Sequence, residues 1–323
     1  METTSPQLSV IVPAYNVERF LDKCLHSIWK QTFTDFEVIL INDGSTDNTL
    51  QICREWTGRD PRFRLISQEN QGLAETRNVG IRASRAPRVM FIDSDDYLEH
   101  DAIQVLMHNM HRTSADISFG RYIVEDLQGK RLKRPHQLGD ACLTTQQAYV
   151  KILFDREVKS YAWAKIYTKA LFDGIEYPKG LLLEDYLTTY LVFRRAKLVV
   201  STSKEIYHYV QQPASIMNSR TQKTARDHAF MGGVYKRFCD AEASGLLSKR
   251  QLELFRVKTL RRMLRTYFAL EREAANEFTE AQQQNYLAYL SHVYERKIES
   301  ADLRKIWRST ELKKLLLTFF YWK

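Results

Sequence analysis

Several things are scarce in this 323-residue chain. It has four cysteines, Cys24, Cys53, Cys142 and Cys239, too scattered for a zinc site. They read as reduced, mostly buried thiols rather than a disulfide framework. The N-terminus, Met1 to Pro6, lacks a basic segment followed by an apolar stretch, so no signal peptide is expected. No run approaches the roughly 20 apolar residues that span a bilayer. Internal repeats and low-complexity tracts are missing, and no proline occurs beyond residue 222. A cytoplasmic protein is expected, soluble or peripheral on the inner face of the plasma membrane.

What is present suffices for a substantial core, since 44% of the residues are hydrophobic and 12% aromatic. Charge is unevenly placed. Up to residue 218, 27 Lys and Arg balance 27 Asp and Glu; after it, 21 basic residues face 12 acidic ones, so the whole net charge of +9 lies in the last third. The asymmetry predicts two regions, a neutral body over 1–218 and a basic helical region over 219–323 that meets an anionic partner.

Leu8 to Pro13, Phe36 to Ile41, Phe63 to Ile66 and Arg88 to Ile92 read as short buried strands. Helical spacing lies between them: Val17 to Ile28 with Asn16 as N-cap, Leu50 to Trp56, and Leu73 to Ser84. Such long connections suit crossovers, so the fold class is α/β, a Rossmann-like, mostly parallel sheet with helices on both faces. Ile103 to Met110 reads as a helix, Asp116 to Val124 as a strand, and Glu125 to Asp140 as an exposed loop. Ligands of such sheets bind beyond the carboxyl ends of the strands. The polar clusters after strands one, two and four all fall at that edge.

Asp93-Ser94-Asp95 is an Asp-x-Asp pair at a strand end. Two close carboxylates repel and prefer a shared cation, and hard oxygen ligands suit Mg2+ or Mn2+. The bland alternative is a solvated cap. Five groups then follow in order: Val10 to Asn16; Gln31-Thr32-Phe33; Asp43-Gly44-Ser45-Thr46-Asp47; Asn70-Gln71-Gly72 with Arg77-Asn78; and Phe91 to Asp96. Four more continue the series: Trp163-Ala164-Lys165, Tyr177-Pro178-Lys179-Gly180, Glu184-Asp185, and Tyr207-His208-Tyr209 on to Ser215-Ile216. Each fragment is common, but the ordered set closely resembles the family 2 glycosyltransferases with the GT-A fold, of the bacterial polysaccharide or wall-polymer type, over residues 7 to 218.

The resemblance implies an inverting, metal-dependent hexosyl- or N-acetylhexosaminyltransferase that uses a UDP-sugar. Pro13 and Tyr15 would border the base, and Asp43 would accept its imide N–H, which favours uracil. Asn70 and Gly72 would contact base or ribose, and Arg77 the phosphates or ribose, with a surface salt bridge as its rival. Asp93 would touch ribose, with Ser94 beside it, and Asp95 would hold Mn2+ or Mg2+ against the diphosphate. Of Glu184-Asp185, the second acid would be the general base; without the resemblance the pair reads as a helix N-terminus. His208 stands where some relatives place a metal ligand, or packs between two tyrosines. Trp163 and Lys165 would shape the acceptor side. One departure is clear: Val210-Gln211-Gln212 replaces an arginine-rich stretch, and Arg220 is a potential substitute.

In the last third, basic residues from Lys249 to Arg265 interleave with apolar ones, and Leu312 to Lys323 is aromatic and cationic. An anionic membrane surface, a second subunit in a homo-oligomer, or a polyanionic acceptor would each suit. A nucleotidylyltransferase would want a glycine- and basic-rich loop near the N-terminus, which Val12 to Asn16 is not. A nucleic-acid-binding module would leave the ordered motifs unexplained, so no nucleic-acid partner is expected.

Overall fold

A computed structural model describes residues 5–212, 223–274 and 278–308. Ser215-Ile216, Arg220 and the Leu312–Lys323 tail lie outside the described residues. The chain divides into two compact units, Met1–Ser215 and Ile216–Lys323.

The first unit starts with four strands, β1 (Leu8–Ala14), β2 (Phe36–Asp43), β3 (Phe63–Gln68) and β4 (Arg88–Phe91). They run parallel in the order β3-β2-β1-β4. Both faces of β1 and β2 are buried throughout, in keeping with their mostly apolar composition, and the buried Ser9 hydroxyl donates to Glu37 at 2.7 Å. The helices α1 (Leu21–Trp29), α2 (Thr49–Arg59) and α4 (Ala102–Thr113) share one cluster with Val10, Val12, Val38, Leu40 and Met90. On the other face, α3 (Leu73–Ala83) approaches so closely that a Cβ on Gly80 would lie 2.3 Å from Ile11 Cγ2 and 3.1 Å from Ile41 Cδ1. Helices therefore cover both faces.

The parallel order does not extend across the sheet. After β5 (Tyr97–Leu98) come β6 (Ile117–Glu125), β7 (Arg131–Lys133), β8 (Ala141–Thr144), helix α5 (Thr145–Phe154) and β9 (Lys165–Thr168). Helix α6 (Glu184–Arg195) and the long β10 (Leu198–Val210) complete the unit. Strand β9 lies antiparallel between β4 and β6, while β6 and β10 are parallel. The sheet is thus mixed, because β9 enters it without a crossover in the same sense.

Two local expectations are corrected. Asn16 does not cap α1: it adopts φ 51° and accepts from Thr46 N at 2.8 Å, and the helix starts five residues later. The 125–140 segment is exposed through β7, but Gln137 folds back and pairs both ways with the Tyr122 backbone at 2.8 Å.

The second unit is helical: α7 (Lys223–Ala243), α8 (Lys249–Glu273), α9 (Glu280–Tyr294) and α10 (Ser300–Arg308). Capping boxes Ser248–Gln251 and Thr279–Gln282 start α8 and α9. The apolar stripe of the predicted basic helix, from Leu254 to Leu264, is buried where α8 packs on α7, α9 and α10. Among the described residues no helix is long and apolar enough to cross a membrane.

Gly80→Ala should destabilise the fold by about 1–3 kcal/mol through overpacking, despite alanine's better helix propensity. Urea unfolding checks this: an unchanged midpoint would mean that α3 can move off the sheet.

Candidate active site

The first four strands are adjacent and parallel, so their carboxyl ends share one edge, and the turns that follow them are knitted together. After β1, the Asn16 backbone N–H donates to Ser45 Oγ at 3.1 Å. Asp43, at the end of β2, accepts on Oδ1 from Gln68 Nε2 (2.8 Å) and Gln71 N (2.9 Å), and on Oδ2 from Gly72 N (2.9 Å). Its carboxylate therefore shapes the loop after β3, leaving a lone pair on Oδ2 for a further donor. Gly44 passes so close that a Cβ there would lie 2.8 Å from Asn70 N, and at φ 71° only glycine is comfortable. Gly72, at φ 83°, opens α3. Pro13 is buried within β1, whereas the next aromatic, Tyr15, is 49% exposed at this edge.

Arg77 is no surface salt bridge. Its side chain is 2% exposed, with Nη2 2.8 Å from Asp93 Oδ1 and Nη1 on Glu184 Oε1. The charges of Asp93 and Glu184 hold the guanidinium protonated against its burial. One arginine thus brings together two acidic motifs far apart in sequence. The adjoining Asn78 grips the backbone of Tyr177 from both sides, donating from Nδ2 to the carbonyl (2.9 Å) and accepting from the N–H (2.8 Å). The Tyr177–Gly180 motif is thereby docked on α3, just before the chain reaches Glu184. Arg77, expected to face the donor's phosphates or ribose, here donates from both terminal nitrogens to carboxylates and so positions them.

His208 is not joined to Asp95. Its Nδ1 lies 3.0 Å from Glu125 Oε2 and its Nε2 2.9 Å from Glu99 Oε1, and the ring stacks on Tyr97 with centroids 4.1 Å apart. Both nitrogens are engaged, which is the packed-histidine alternative. Asp95 instead accepts from Gln212 Nε2 at 2.9 Å, so a glutamine of the departing Val210-Gln211-Gln212 stretch reaches the motif. Burial first, then the neighbouring Asp93 charge, pushes the Asp95 carboxyl up to about 6.

Asp185 stands in the first turn of α6, after Leu183 in the left-handed region at φ 65°. It accepts from Tyr186 N at 2.6 Å. Burial, followed by the Glu184 charge, raises its carboxyl to about 7, against the pull of Arg77. The helix N-terminus and the acidic site coincide, so the two readings of this pair are not rivals. Lys165 lies buried nearby, its amine lowered to about 7 by burial and sustained by Asp185 and Asp155.

Sequence reasoning missed Asp96. It is 1% exposed and accepts from Tyr207 Oη (2.7 Å) and Val210 N (2.8 Å), tying the acidic loop to β10. Tyr207 Oη also accepts from Asp93 N at 3.2 Å. Adjacency to the motif was the only signal. Ser94 is buried beside these groups. Among the described residues, no three His, Cys, Asp or Glu side chains form a metal cage. A Mg2+ or Mn2+ ion held between one or two carboxylates and substrate phosphates needs none, and the paired, mutually repelling Asp93 and Asp95 fit such an ion.

These features define a GT-A-type fold with an acidic site at the carboxyl edge of its sheet. Residues 9–173 match the family model for glycosyl transferase family 2, and the chain belongs to that family. It is 33% identical over 258 residues to the glycosyltransferase GlyA of Streptococcus pneumoniae, an alignment covering 77% of this chain but 37% of GlyA. The fold is similar to Staphylococcus aureus TarS 1–349 in complex with UDP-GlcNAc, with a TM-score of 0.69, 22% identity, and coverage of 92% of this chain and 83% of that one. It is also similar to the mannosyltransferase PcManGT of Pyrobaculum calidifontis in complex with GDP-Man and Mn2+, with a TM-score of 0.51, 15% identity, and coverage of 91% and 87%.

The raised Asp185 carboxyl makes a signed prediction. Its folded pKa exceeds the unfolded value of about 3.9, so its stabilising contribution is present below that pH and is lost as pH rises towards 7. Asp185→Asn removes this loss. The stability of the variant minus that of the wild type should grow from about pH 4 to about pH 7 and then level off. A pH-independent difference in urea titrations would refute the shift.

Proposed function

We propose that this chain is an inverting glycosyltransferase that moves a sugar from a UDP-sugar to a hydroxyl of a growing cell-surface glycan, wall polymer or lipid-linked intermediate. The observation that carries the proposal is the Arg77 bridge, which sets the Asp93–Asp95 motif beside Glu184-Asp185. An acidic motif suited to a cation that meets the diphosphate, and a buried carboxylate raised towards neutrality, are the two halves such a transfer needs.

In this reading Tyr15 stacks on the base, the open Oδ2 lone pair of Asp43 accepts the imide N–H, and Asn70 and Gly72 line the base and ribose. TarS, with UDP-GlcNAc, supports a uracil nucleotide, whereas PcManGT carries a guanine one, so the fold alone does not select the base. Asp43 is the feature of this chain that favours uracil. Asp93 contacts the ribose while Arg77 fixes its carboxylate. Asp95, with Asp93 adjacent, would hold Mn2+ or Mg2+; a bound ion supplies positive charge to the departing diphosphate. PcManGT, in complex with Mn2+, supports this assignment.

Asp185 performs the proton transfer. Its carboxylate takes the acceptor hydroxyl proton as that oxygen bonds to the anomeric carbon. The bond from that carbon to the diphosphate oxygen breaks on the opposite face, UDP leaves with the electron pair, and the anomeric configuration inverts. A group titrating near 7 is matched to this task at neutral pH. Glu184, held by Arg77, stays in place and keeps Asp185 basic by repulsion. The basic second unit faces an anionic surface, acceptor or second copy.

Two outcomes test the assignment. UDP with Mn2+ should raise the Tm more than UDP alone, and Asp95→Ala should abolish that increment; a preserved increment would remove Asp95 from the metal site. Asp185→Asn should keep the UDP response but lose transfer, and wild-type turnover should fall as pH drops below about 7. Full turnover by the variant would overturn the base assignment.

A further inference from the structure

Residues Tyr161 to Lys165, within reach of the Asp185 charge, are held by several independent contacts. Ala164 adopts φ 57°, a conformation that costs a residue with a side chain of order 1 kcal/mol or more. The Lys165 amine donates to the carbonyls of Tyr161 at 2.7 Å and Trp163 at 3.2 Å, pinning the segment from beneath. A stack of nearly parallel rings results, with Tyr209 beside it at 5.5 Å and 17° from Trp163 and 6.5 Å and 25° from Tyr161. Trp163 lies 4.6 Å from Tyr207 and 4.4 Å from Tyr161, centroid to centroid, with interplanar angles of 10° and 14°. Tyr122 closes the edge of Trp163 at 4.9 Å in T-shaped contact.

The stack has an inner and an outer end. Its inner ring, Tyr207, is fully buried and hydrogen-bonded through Oη to Asp96 and Asp93 N, so it belongs to the donor loop. Its outer ring, Tyr161, is 37% exposed. Asp185 acts on this ring as well, since its charge is among those that raise the Tyr161 hydroxyl after burial and Tyr122. An aromatic face kept in water, strained into position and backed rigidly towards the acidic site suits a ligand that approaches from outside.

We propose that Tyr161, backed by Trp163 and Tyr207, is a stacking platform for a pyranose ring of the acceptor, so that the nucleophile is a sugar hydroxyl and not the hydroxyl of a phosphate-linked polyol. The C–H face of a pyranose is apolar and slightly electropositive, which complements the negative face of an aromatic ring. Gln137, Glu157, Lys159 and Lys165 line the adjoining cleft together with Tyr122 and Tyr161. Its two lysines are engaged within the fold, the Lys159 amine donating to the Asp155 carbonyl and the Lys165 amine to those of Tyr161 and Trp163, while Glu157 is paired with Lys151. This inference rests on the glycosyl-transfer reading and narrows it.

The test uses the full chain with UDP and diamagnetic Mg2+, and saturation-transfer NMR with irradiation of the aromatic protons. The probes are methyl pyranosides of glucose, galactose and N-acetylglucosamine, with glycerol 3-phosphate as the ring-free comparison. Transfer to the ring C–H protons of at least one pyranoside is expected, above that to glycerol 3-phosphate. Tyr161→Ala should weaken it about fivefold, corresponding to the roughly 1 kcal/mol of an aromatic contact, whereas Tyr161→Phe keeps the ring and should stay near wild type. Consumption of a panel of UDP-sugars in the same wild-type samples separates the two claims. If no UDP-sugar is consumed, the donor reading fails. If one is consumed while no pyranoside is saturated, glycerol 3-phosphate is saturated more, or Tyr161→Ala matches wild type, the platform is overturned. Should Tyr161→Ala fail to fold, the wild-type comparison between pyranosides and glycerol 3-phosphate decides.

Discussion

The guanidinium of Arg77 holds the catalytic unit to a single arrangement. An arginine can be buried only if its charge is met, and here Asp93 and Glu184 meet it from two elements far apart in the chain. Removing either partner would strand charge inside the protein. The same helix is pressed onto the sheet at Gly80, where a glycine lets α3 approach Ile11 and Ile41. Sheet, helix and two acidic motifs are therefore one mechanical unit. Asn78 extends it to the Tyr177 backbone and hence to the start of α6.

From that unit follows a division of labour among five carboxylates. Asp93 and Glu184 are engaged by arginine. Asp96 is buried and bound by Tyr207 and the Val210 N–H, so it serves the architecture. Asp95 and Asp185 form no ion pair among the described residues, and both are raised by burial and a neighbouring acid. Adjacent carboxylates with opposite environments are a general way to obtain different chemistry from one residue type. In the proposed reading Asp95 takes the cation and Asp185 the proton, each lacking the arginine that its neighbour has.

The second unit follows a different logic. Its buried apolar residues pack α8 against α7, α9 and α10, and four of its cations, Arg272, Arg304, Lys305 and Arg308, fall at the end of α8 or on α10. Arg256 is ringed by Glu242, Glu253 and Glu295. Part of the basic excess therefore stabilises the bundle itself, and the amphipathic pattern from Lys249 to Arg265 describes a helix inside a bundle as well as it describes an interfacial one.

Much of this was legible in the amino-acid order. Unbroken apolar, largely β-branched runs such as Val38 to Ile41 signal strands buried on both faces, and the polar turns after them mark the binding edge, because burial pattern and turn chemistry are local properties. The ordered motifs from Val10 to Asp96, and on to Glu184-Asp185, pointed to the family and the acids. The antiparallel entry of β9, the turn of Asn16 towards Thr46, and the partners of Arg77, His208 and Asp95 were not legible. Each depends on what a residue meets across the fold: a histidine between two glutamates and a histidine on a metal look alike in one dimension. Local sequence set which groups could carry charge, and only tertiary packing decided which charges were answered, since Coulomb energy and desolvation depend on distances that chain order does not contain.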